Sequence, residues 1–94
     1  MPGYWIVKGG DVEDVEALAA YNAIFSVIAA RYGAEIIAGR SRVETVEGRH
    51  FPRQFILKFD RYETARACYD DPEYQQSLTL AARAYSRELS ILEG

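Results

Sequence analysis

The order in which hydrophobic periods alternate along the chain restricts its fold more than any single motif. Tyr4 to Lys8 is aromatic and β-branched and ends at Gly9-Gly10, which reads as a short strand closed by a tight turn. Behind it, Leu18, Tyr21, Phe25, Ile28 and Tyr32 recur at spacings of three and four, with Ile24 and Val27 widening the stripe. That is one face of an amphipathic helix over residues 15–32. Asp14 is placed to cap its first turn and Gly33 to end it in the left-handed region. The pattern then returns to strands. Residues 34–39 read as a strand, Arg40-Ser41 as a bulge or turn, residues 42–47 as extended chain, and residues 48–52 as a loop. In residues 53–59, Phe55, Leu57 and Phe59 share one face while Gln54, Ile56 and Lys58 share the other. The three apolar residues are expected to be buried as a set.

Asp60 and Glu63 have capping-box spacing ahead of a helix that runs to about Asp70. Asp71-Pro72 restarts the helix, with Asp as cap and Pro at the first helical position. Residues 87–92 close the pattern as a last strand. The order is βαββαβ, the ferredoxin-like arrangement: α+β, a four-stranded antiparallel sheet with both helices on one face. At 94 residues the chain has room for a single such domain, residues 1–94. The strands carry apolar groups on both faces, Tyr4 and Ile6 as well as Trp5 and Val7. A sheet open to water on one face would alternate more cleanly. The second face therefore needs a cover, and the simplest cover is another copy of the same sheet, giving a homodimer.

Several classes of function are excluded by composition. The eleven basic residues are outnumbered by fourteen acidic ones, for a formal net charge of −3, so the chain lacks the basic footprint of a nucleic-acid binder. No apolar run approaches the ~20 residues of a membrane span, and the first residues lack the pattern of a signal peptide. One Cys gives no disulfide framework. A cytoplasmic setting follows as the expectation. Nothing in the residues calls for a metal or an organic cofactor: there is one His, and no zinc spacing or phosphate-loop motif.

Certain residues carry a family resemblance. Gly3-Tyr4-Trp5-Ile6-Val7, Arg42-Val43-Glu44-Thr45-Val46-Glu47-Gly48, Phe55-Ile56-Leu57-Lys58-Phe59 and above all Cys68-Tyr69-Asp70-Asp71-Pro72-Glu73-Tyr74-Gln75 resemble the family called domain of unknown function 1330, as does the ending Leu92-Glu93-Gly94. Asp14-Val15-Glu16 and Asp60-Arg61 depart from its usual helix starts. The resemblance implies a dimeric α+β barrel, two subunits packed sheet to sheet, and implies no particular activity.

Candidate chemistry gathers around residues 40–53, where Arg40, Arg42, Arg49, His50 and Arg53 are diluted only by Glu44 and Glu47. Nine of the eleven basic residues are Arg, which grips planar anions in a bidentate fork. A ligand site between helices and sheet would draw Arg53, Arg42 and His50 from this segment and Tyr21 and Tyr69 from the helix faces. Arg53 leads, because a strand holds its backbone; the competing arrangement pairs it with Glu47. His50, as the lone histidine, is the candidate general base. Cys68 reads as a small buried hydrophobe, since the end of its helix disfavours a thiolate. Glu44 and Glu47 point to opposite faces of a regular strand and make no acid–base pair. The expected function is binding of a small anionic or aromatic molecule. The alternative, by analogy with other barrels of this shape, is a cofactor-independent monooxygenase or isomerase of small aromatic or lactone compounds.

Overall fold

The computed structural model describes residues 1–39 and 41–94. Its elements are β1 (Gly3–Gly9), α1 (Val15–Tyr32), β2 (Glu35–Ala38), β3 (Arg53–Phe59), α2 (Tyr62–Asp70), α3 (Pro72–Gln76), α4 (Leu78–Ala84) and β4 (Arg87–Glu93). The strands form one antiparallel sheet in the order β2-β3-β1-β4, the ferredoxin-like topology.

Local chemistry sets the helix ends. Asp14 is extended, and its carboxylate accepts the Ala17 N–H at 3.0 Å, so α1 starts at Val15. Gly33 closes α1 at φ 66°, a conformation that disfavours any side chain. Two expectations are corrected here. Val27 is 57% exposed, so the buried stripe of α1 is narrower than its periodicity suggests. The Asp60–Glu63 capping box does not form: α2 begins one residue later, behind an extended Arg61 with no side-chain cap. The Met1 carbonyl takes the Tyr62 N–H instead, at 3.2 Å. The helix after Pro72 is also broken at Ser77 into α3 and α4.

The second strand is shorter than its sequence suggests, and all of β2 is exposed. The register shift lies between Ile36 and Ala38, while the expected bulge at Arg40-Ser41 falls partly on Arg40, outside the described residues. Residues 42–47 are irregular rather than a strand. Ala38 already faces Ile56, so β3 has only Arg53 to Phe55 left to offer as partners, and the charged residues 42–47 have no ladder to join.

Strand register sorts the side chains. Trp5, Val7, Leu57, Phe59, Leu89 and Ile91 face the helices; Tyr4, Ile6, Ile56 and Leu92 face away. Trp5 is the centre of the core, 1% exposed, donating its indole N–H to the Ala65 carbonyl at 2.9 Å. Leu57 and Phe59 are buried with it, but Phe55 is only half-buried. α2 lies against the sheet, whereas α1 leans on α4 through Ala17 and Ala84. Propped on its neighbour, α1 stands off from the strands beneath it.

Candidate functional site

The gap under α1 is a cavity of about 710 Å³, within the usual size of small-ligand sites. Trp5, Tyr21, Phe25, Phe55 and Tyr85 supply aromatic wall, and Arg53 and Arg87 supply its charge. The two arginines are placed by one register. Both sit opposite Gly9, on the strands to either side of it, and both face the helices. A Cβ on Gly9 would collide with the edge of the Tyr85 ring, so only glycine leaves room for that ring there.

Arg53 uses the ring as a platform. Its guanidinium carbon lies 4.8 Å from the Tyr85 centroid and 5.5 Å from that of Phe55. Its Nε is buried with no hydrogen-bond partner among the described residues. The pairing with Glu47 is not formed among the described residues; Glu47, like Glu44, is exposed.

Arg87 is engaged. It donates to the Tyr21 hydroxyl at 3.1 Å and to the Tyr74 hydroxyl at 2.8 Å, and the two hydroxyls are 2.9 Å apart. Burial pushes the Tyr21 phenol well above its usual range, with Tyr74 adding to the rise and Arg87 opposing it. Burial works against the charge of Arg87, but the two phenols outweigh it and its pKa stands above the usual value.

Asp71 positions this trio from below. One carboxylate oxygen accepts the N–H groups of Glu73 and Tyr74, starting α3 and aiming Tyr74 at the core. The other accepts from Tyr32 at 2.7 Å and Arg31 at 2.8 Å, which ties α3 to the end of α1. The Tyr32 bond, opposed by burial and reinforced by Arg31 and the two backbone donors, holds the Asp71 carboxyl down to about 2.

The structure thus brings Arg53 and Tyr21 to the cavity wall. Tyr69 instead lines a smaller cleft of about 460 Å³ on the far side of Arg87, with its ring edge against Trp5. Arg42 and His50 are exposed and outside both; His50 Nδ1 bonds to the Thr45 hydroxyl at 2.8 Å. Cys68 is fully buried, and burial pushes its thiol up to about 12, with Asp71 adding to the rise. Two wall residues, Arg87 and Tyr85, escape a reading of the sequence. For Arg87 a signal exists, since it is in phase with Leu89 and Ile91 just as Arg53 is with Phe55 and Leu57. Among the described residues there is no cluster of His, Cys, Asp or Glu able to hold a metal, and no helix long and apolar enough to cross a membrane.

Fold and site together define a ferredoxin-like α+β protein with an aromatic-walled, arginine-bearing cavity between helix and sheet. The chain belongs to the family domain of unknown function 1330 (DUF1330), whose model matches residues 2–94. No curated protein matches it in sequence. Among solved structures it is similar to a protein of unknown function from Rhodopseudomonas palustris, at 17% identity and TM-score 0.77, covering 99% of this chain and 82% of that one. A dimeric ferredoxin-like protein of unknown function from Thermobifida fusca aligns at 12% identity and TM-score 0.62, over 100% and 92% of the two chains. A variant of SnoaB, a cofactor-independent oxygenase from Streptomyces nogalater, aligns at 13% identity and TM-score 0.56, over 99% and 92%. At these identities the likeness is one of fold.

Proposed function

We propose that the protein is a homodimer in which each subunit binds a small aromatic anion in the cavity under α1, with Arg53 as the anion's partner. The observation that carries this reading is Arg53 itself, a guanidinium on an aromatic wall with no carboxylate partner among the described residues. A cation held against apolar rings without a counter-charge is stabilised by an anion that joins it. A carboxylate entering the cavity accepts from the outer N–H groups of the Arg53 guanidinium, Nε being closed off, and the ligand's ring packs against Phe25, Phe55 and Tyr85. The Thermobifida fusca protein is dimeric; pairing across the open sheet face leaves this cavity on the opposite side of the sheet.

The oxygenase alternative rests on the fold shared with SnoaB. Binding is favoured over it because no carboxylate, imidazole or thiol lines the cavity among the described residues, so the wall offers no base for proton abstraction.

The test is calorimetry with benzoate and its neutral counterpart benzamide. Benzoate is expected to bind at least about 10-fold more tightly, the worth of one charge-assisted hydrogen bond. Arg53→Met should remove that preference while keeping the fold. Equal binding of the two compounds, or a preference that survives Arg53→Met, overturns the reading.

A further inference from the structure

We propose that Tyr21 is a second recognition group in the cavity, an obligate hydrogen-bond donor that selects aromatic carboxylates carrying a carbonyl oxygen remote from the carboxylate. The inference rests on the anion-binding reading above and adds the second half of the ligand.

It follows from counting protons in the buried trio. A phenol has one proton and two acceptor positions; a guanidinium only donates. Arg87 donates once to Tyr21 and once to Tyr74. The bond between the two hydroxyls consumes one phenol proton, and the other is left without a partner. Were it on Tyr74, it would be stranded, because Tyr74 is fully buried and does not line the cavity. Tyr21 does line it. Tyr74 therefore donates to Tyr21. Tyr21 then accepts twice, has no acceptor position to spare, and turns its own proton to the cavity.

The cavity thus has two donors awaiting acceptors, Arg53 and Tyr21. They lie at separate places. Arg53 and Arg87, which holds Tyr21, come from the strands on either side of Gly9, about 10 Å apart at their Cα atoms by ordinary strand spacing, so the two donors are presented from different strands. A carboxylate and a carbonyl at opposite ends of one aromatic ring suit donors presented from different strands better than two oxygens on one carbon do. The high pKa of the buried phenol keeps the donor proton in place throughout the ordinary pH range.

Two measurements test this. The first compares 4-acetylbenzoate with 4-isopropenylbenzoate, which differ only in a carbonyl oxygen against a methylene. The wild type should prefer the acetyl compound by about fivefold. In Tyr21→Phe the ratio should fall to about one. A ratio of one in the wild type, or an unchanged ratio in the variant, overturns the assignment. The second uses the ligand-free wild type, so it depends on neither a variant's folding nor a ligand. With tyrosine labelled at Cζ in mixed H₂O and D₂O, a slowly exchanging hydroxyl gives two carbon signals and a rapidly exchanging one gives a single average. Tyr74 should give two and Tyr21 one. Two signals from Tyr21 place its proton inside the trio and overturn the proposal. If neither benzoate binds, the anion-binding reading fails, and the exchange pattern still decides which phenol holds the free proton.

Discussion

Asp71 shows how much one side chain of this protein does. It caps α3, receives Arg31 and Tyr32 from α1, and through the start of α3 aims the Tyr74 hydroxyl at Tyr21 and Arg87. Its carboxyl titrates at about 2 in the fold against 3.8 for a free side chain, so the folded state prefers the charged form. The stability this gives is fully present above about pH 3.8 and drains away as pH falls from there toward 2. Thermal melts across that window should show the wild type losing midpoint temperature steeply. Asp71→Asn should melt lower at neutral pH and change less through the acid range; equal slopes for the two would assign the acid sensitivity elsewhere. Asp71 as a cap, and Arg53 and Tyr21 as inward-facing polar residues, are legible in the sequence because each is fixed by a local period or spacing. Arg42 and His50 lie in irregular chain, where no period says which way a side chain faces. Tyr85 follows the last turn of α4, and its place over Gly9 comes from the meeting of two elements distant in sequence.

The elements most legible in sequence are those whose ends are determined from within. α1 begins at an Asp that caps it and ends at a Gly that can turn left-handed, and β3 is written in its alternation. β2 and α2 differ because their limits depend on other parts of the chain. β2 stops where β3 has nothing more to pair, and the start of α2 is satisfied by the Met1 carbonyl. The self-contained kind of end can be tested at Gly33. A Cβ there would meet nothing within 4 Å, so Gly33→Ala introduces no clash. It does force an L side chain to φ near 66°. Urea unfolding should show a loss of about 1–2 kcal/mol, the cost of the left-handed conformation. A loss below about 0.5 kcal/mol would mean that α1 can end without that turn.

For the whole molecule, the unpartnered sheet face decides the state of assembly. Its rows follow from the register: Leu92, Tyr4 and Lys58, then Ser90, Ile6 and Ile56, then Glu88, Lys8 and Gln54. The chain attends to the third row itself. Phe51 lies 5.9 Å from the Lys8 ammonium, and Arg49 reaches Glu88 at 3.4 Å. The first two rows leave Tyr4, Ile6, Ile56 and Leu92 as a contiguous apolar patch, with Leu92 half-exposed and the other three partly buried. A twofold axis near Ile6 and Ile56 would set that patch against itself, as an isologous interface requires. Stable interfaces of this kind bury about 1,600 Å² in total. Ile56→Asp places a carboxylate at the centre of the patch in both subunits at once, so two charges would be desolvated against apolar neighbours. In the monomer the same side chain stands on an open face, and the core of Trp5, Leu57 and Phe59 behind the sheet is untouched. Light scattering should therefore give twice 10.6 kDa for the wild type and 10.6 kDa for Ile56→Asp, with the helical signal of the variant retained. Because the cavity lies on the other side of the sheet, the monomeric variant should still prefer benzoate to benzamide. A wild type of 10.6 kDa at micromolar concentration would overturn the dimer, and a dimeric Ile56→Asp would move the interface off this face.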